Sequence, residues 1–128
     1  MSTTCIFTRT IRIGSLTYGI VENVSADTVG PIFTETVANS ITDKRFGCPI
    51  DVSQVQALLI SSTGALTIKT NSSTSPTQTI TLVANQPVIW KTGEGSCPIT
   101  ADVTDIYVTN SGASAITLNL IVGYDNTP

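Results

Sequence analysis

Apolar and polar residues alternate with a period of two along most of this 128-residue chain, and turn-forming residues interrupt the alternation at short intervals. Successive side chains of a strand point to opposite sides, so this period marks strands with one face buried. Cys5, Phe7, Ile11 and Ile13 fall on one face of a first strand, with Thr8, Thr10 and Arg12 on the other. Gly14-Ser15 turns the chain into a second stripe of Leu16, Tyr18, Ile20 and Val24. Residues 32–44 alternate less cleanly, but their Thr and Val content disfavours helix. Gln54–Ser61 carries Val55, Ala57 and Leu59 on one side and Leu58 and Ile60 on the other, which predicts a central strand or one covered at an interface.

The pattern continues beyond Thr63-Gly64 into Ala65–Thr70, with Leu66 and Ile68 inward. The polar stretch Asn71–Thr77 is predicted to be a loop, because Pro76 blocks a strand through it. Gln78–Ala84 and Val88–Lys91 are further strands, joined by Asn85-Gln86-Pro87 and followed by a loop over Thr92–Ser96, which is expected to be flexible. Asp105–Thr109 and Ala115–Gly123 read as a closing hairpin, its second strand striped by Ile116, Leu118, Leu120 and Val122. Strands spaced by about 8–12 residues, with no sustained 3.6 period, predict an all-β antiparallel sandwich, jelly-roll-like, of about eight or nine strands and almost no helix. Residues 1–13 are expected to form an N-terminal arm or first strand, and residues 14–128 a single sandwich domain.

An internal echo runs through the pattern. Cys48-Pro49-Ile50, Leu58-Leu59-Ile60 and Leu66-Thr67-Ile68 are matched by Cys97-Pro98-Ile99, Ile106-Tyr107-Val108 and Ile116-Thr117-Leu118. A duplicated hairpin at equivalent positions of a pseudo-symmetric sandwich and convergence of two similar hairpins both account for it.

Composition restricts the chemistry. The chain has no histidine and only 12% charged residues, so the side chain that titrates nearest neutrality is missing and paired acid–base groups are scarce. Asp51, Asp102 and Asp105 could offer oxygens to calcium, but no Asp-x-Asp-x-Asp-Gly run is present, and turn capping is the better reading. Three cysteines, Cys5, Cys48 and Cys97, have neither an even count nor metal-ligand spacing; Cys48 and Cys97 are expected to pack as small apolar side chains at strand entries. Trp90, the single tryptophan, is expected in core or interface packing. Neither a cofactor nor catalysis is predicted.

The net charge of −3 and the lack of a clustered basic face speak against nucleic acid. No apolar run reaches the ~18 residues of a spanning helix, so no membrane partner is expected. The first residues lack a secretory pattern, which predicts synthesis and retention in a cytoplasm and leaves the acceptor patterns at Asn23 and Asn71 silent. A surface with so few charges leaves sheet edges weakly guarded, as in a protein built to be covered by neighbours. The segment Ser2–Ile13 can add a strand to such a neighbour.

One stretch carries a resemblance. Ala84–Trp90, the Gly-containing loop after it, Cys97-Pro98-Ile99, Asp102–Asn110 and the strand Ile116–Asp125 together resemble small virion proteins of tailed bacteriophages, namely capsid decoration (cement) proteins or minor structural proteins. The resemblance covers about the last third of the chain. It implies a virion protein on the capsid exterior that bridges capsomers and stabilises the shell, with the major capsid protein and further copies of itself, as a trimer or dimer, for partners. It also implies a shell-facing contact on the N-terminal arm, at Thr8, Arg9, Thr10 and Arg12. The competing expectation is a tail or adhesin-type sandwich that binds a host glycan.

Overall fold

The computed structural model describes residues 3–26 and 28–124. Ten strands follow one another: β1 (Thr3–Ile13), β2 (Leu16–Ala26), β3 (Thr28–Val37), β4 (Ile41–Ile50), β5 (Val55–Ser62), β6 (Leu66–Thr70), β7 (Thr79–Leu82), β8 (Val88–Lys91), β9 (Val103–Asn110) and β10 (Ile116–Tyr124). The only helical segment among the described residues is one 3₁₀ turn, Val52–Gln54, capped by the Asp51 carboxylate accepting from the Ser53 N–H at 3.1 Å. The fold is the predicted antiparallel β-sandwich.

Eight strands form the two layers, in the orders β3-β10-β5-β8 and β4-β9-β6-β7. Pairing runs in reverse order along the chain: β3 with β10, β4 with β9, β5 with β8 and β6 with β7. The chain therefore forms a long antiparallel ribbon wrapped so that alternate pairs fall in opposite layers, and the pairs β10–β5 and β9–β6 close each sheet. This is a jelly roll. The alternation seen in the sequence supplies its core: Leu58, Ile60, Leu118, Leu120 and Val122 from one sheet meet Leu66, Ile68, Leu82, Ile106 and Val108 from the other.

The wrapping corrects one expectation. Asp105–Thr109 and Ala115–Gly123 do not pair as a hairpin, because β9 and β10 belong to different sheets and face each other across the core. The same holds for β5 and β6 on either side of Thr63-Gly64. Period two locates a strand's buried face but is silent on whether the next strand lies beside it or opposite it. The topology also places the internal echo. Advancing each strand by four carries β3 to β7, β4 to β8, β5 to β9 and β6 to β10, and maps one sheet order onto the other. The echoed corners β5–β6 and β9–β10 thus occupy equivalent positions of the two halves.

β1 and β2 stand apart from both layers as a two-stranded sheet of their own. They pair from Thr3↔Ala26 to Ile13↔Leu16 around the two-residue loop Gly14-Ser15. Gly14 takes φ +60°, the left-handed first position that a two-residue hairpin loop of type II′ requires. The expected first-strand arm is therefore one side of a hairpin, and its other side comes from residues 16–26. With 11 residues in each strand, the hairpin is about 35 Å long. The side chains of the expected stripe members Ile11, Tyr18, Ile20 and Val24 and of the acceptor Asn23 lie outside this description, and Ser2 and Asp125 lie outside the described residues.

Candidate functional site: the hairpin and its seat

The base of the hairpin lies on the outer face of the β3-β10-β5-β8 sheet. Strand alternation divides β1 cleanly: Cys5, Phe7 and Arg9 are half-buried, whereas Thr4, Ile6, Thr8, Thr10 and Arg12 are exposed. Ala57 points away from the core yet is only 5% exposed, because the hairpin covers it. This accounts for the two-sided apolarity of β5, which is both central in its sheet and covered from outside. An open groove of about 490 Å³ runs between residues 5–9 of β1 and Ala57, Leu59, Ile89 and Ile121 on the sheet.

Among the described residues, an ion pair fastens the two parts. The Arg9 guanidinium donates through both terminal nitrogens to the two carboxylate oxygens of Glu94. Such fork-to-fork pairing fixes orientation as well as adding energy. Glu94 sits between Gly93 and Gly95, and both glycines adopt positive φ, so the loop can curl its acidic side chain back toward the hairpin. The Glu94 carboxylate also accepts from the Lys91 N–H at 3.2 Å, and the Glu94 carbonyl accepts from the Trp90 indole N–H at 2.7 Å. The loop expected to be flexible is thus a tied knot joining β8 to the hairpin. Glu94 is the residue that sequence reading missed. A single acid in a glycine-containing loop carries no periodic signal, and its partner is 85 positions away.

The four arm residues expected to touch a partner therefore divide. Thr8, Thr10 and Arg12 face outward, Arg12 also donating to the Gly14 carbonyl at 3.3 Å, while Arg9 turns inward to Glu94. Elsewhere, Trp90 packs against the core, Cys48 lies fully inside it and Cys97 packs on its margin, both cysteines as free thiols. The Asp102 carboxylate accepts from the Val52 N–H at 3.0 Å, and Asp105 pairs with Arg45 at 3.2 Å, so the aspartates serve turns and surface pairing. Among the described residues no cluster of His, Cys, Asp or Glu can hold a metal ion. The Asn71 amide donates to Thr77 Oγ1 and the Asp102 carbonyl and accepts from the Thr104 N–H, so its nitrogen is already engaged.

Two predictions arise here. The Arg9 guanidinium holds the Glu94 carboxyl below its usual range, with Lys91 acting in the same direction and burial opposing both. A carboxylate with a lowered folded pKa stabilises the docked hairpin above the ordinary glutamate pKa, about 4.3, and this contribution is lost as pH falls through the lowered value. Acidification below about pH 4 is expected to shift Trp90 emission as the knot loosens, and Arg9→Gln should remove that step; an identical step in the variant would refute the assignment. Burial also pushes the Cys48 thiol up to about 11. Cys48 is therefore expected to resist thiol reagents at pH 8 until the protein unfolds, and rapid labelling of the native state would contradict its placement.

No protein-family model matches this chain, and neither a curated protein nor a solved structure matches it.

Proposed function

We propose that this chain is a non-catalytic structural protein that joins a larger protein assembly through its β1–β2 hairpin, and specifically that it is a decoration protein on the exterior of a tailed-phage capsid. The observation that carries the reading is where apolar surface is left uncovered. Ile6, Ile13, Leu16 and Val21 are 66%, 69%, 72% and 65% exposed, and all four lie on the hairpin. The register places Ile6 and Val21 diagonally on the outward face and sets Ile13 against Leu16 at the tip. Large apolar side chains gathered on one projecting element mark an interaction surface.

The fold leaves the choice of assembly open, since jelly rolls serve in viral capsid and lectin domains as well as cupins. The phage capsid rests on the resemblance of the last third of the chain. On this reading the hairpin grips the major capsid protein, and each bound copy stabilises the shell by mass action, because it binds the assembled lattice and not dispersed subunits. A glycan-binding tail module has less support: Trp90 packs against the hydrophobic core, which takes up ring surface that a sugar would need for stacking. Copy number in purified particles tests the proposal. A count comparable with the major shell protein is expected, and a count typical of a tail or vertex, or absence from particles, would overturn it.

A further inference from the structure

We propose that the β1–β2 hairpin is exchanged between copies of this chain, so that in the assembled protein each hairpin lies on the outer sheet face of a neighbour. The inference concerns self-assembly and stands whether or not the larger partner is a capsid. Four observations carry it. Among the described residues the hairpin shares no ladder with either sandwich sheet. Its contacts with the sandwich are complementary in charge, Arg9 on the hairpin and Glu94 on the body, and apolar around them. An open groove of about 490 Å³ is left where β1 meets the sheet. At the tip, Ile13 and Leu16 remain exposed in the single chain.

An element that is separately folded, self-complementary with its own body and incompletely buried by it suits exchange. Every contact made within one chain can be remade between two.

Charge reversal tests this directly. In Arg9→Glu the hairpin and body are both acidic at the contact; in Glu94→Arg both are basic, and Lys91 adds to the repulsion. Neither variant alone should seat its hairpin, and Trp90 emission should report the loosened knot. Mixed in equal amounts, each hairpin finds its complement on the other chain. The expected result is a mixed assembly of at least twice the monomer mass that contains both chains, with Trp90 emission restored. Two separate species after mixing would overturn the proposal. Should either reversal fail to fold alone, the double variant Arg9→Glu/Glu94→Arg, complementary within itself, is mixed with wild type instead. Exchange predicts that the two self-sort into separate assemblies; free mixing, or two monomers, would overturn it.

Discussion

Replacing Asn110 by Asp is expected to destabilise the fold by about 4 kcal/mol, a large part of the 5–15 kcal/mol that holds a typical domain. Asn110 ends β9 and is completely buried. Its amide shares two hydrogens among the carbonyls of Val37, Ala38 and Ser114, at 3.2, 3.1 and 3.0 Å. Its oxygen accepts from the Gly112 N–H at 3.0 Å. One side chain thereby ties the end of β3, the segment leading into β4 and the corner between β9 and β10. A carboxylate there would face three carbonyl oxygens with no hydrogen to give and no water to solvate it. Asn110→Ala loses the same bonds without adding charge, and about 2–3 kcal/mol is expected. Thermal melts should place the Asp variant lowest, roughly 15 °C below the unsubstituted protein. Because the variant carboxyl is neutral once protonated, the gap between the two variants should close below about pH 4, and a gap independent of pH would argue against a buried charge.

The second large effect falls on assembly and spares the fold. Ile13→Lys combined with Leu16→Glu replaces the exposed tip pair by an opposite-charge pair that the hairpin register accommodates. Since both side chains face solvent in the single chain, its stability should change by less than about 0.5 kcal/mol. Desolvating two large apolar side chains contributes about 1.5–3 kcal/mol each at an interface. Their loss should weaken binding to the assembled partner by roughly 10²-fold or more, measured by co-sedimentation with particles. Undiminished binding would mean that the tip is not the contact.

Much of this fold could be read from particular residues. Leu118, Leu120 and Val122 alternate so regularly that β10 and its buried face are evident, and the two-sided apolarity of Gln54–Ser61 points to a central strand or one covered at an interface, which β5 is. The assignment of strands to layers could not be read, because β9 and β10 carry the same period whether they pair or oppose. β4 was blurred by a bulge: the register shifts between Ile41 and Lys44, and Asp43 adopts φ +51°, which breaks the alternation. The hairpin seat was hidden for a different reason. Arg9 and Glu94 look like ordinary surface charges until the tertiary fold brings them together, and covalent distance gives no hint of the bond. The outward placement of Thr8, Thr10 and Arg12, in contrast, follows directly from strand alternation.

The position of β10 has a consequence for how the protein is made. The last strand fills the slot between β3 and β5, so until it is delivered one layer has a gap through its middle. A growing polypeptide cannot complete either layer of its core early, because the reverse-order pairing joins β3 and β4 to β10 and β9. Folding must then wait until β9 and β10 have left the ribosome and, dominated by distant pairings, should be slow, in the millisecond-to-second range. During that delay the unguarded strands are vulnerable to mispairing with other nascent copies, so the yield of correctly folded molecules should depend on expression rate and chaperone supply.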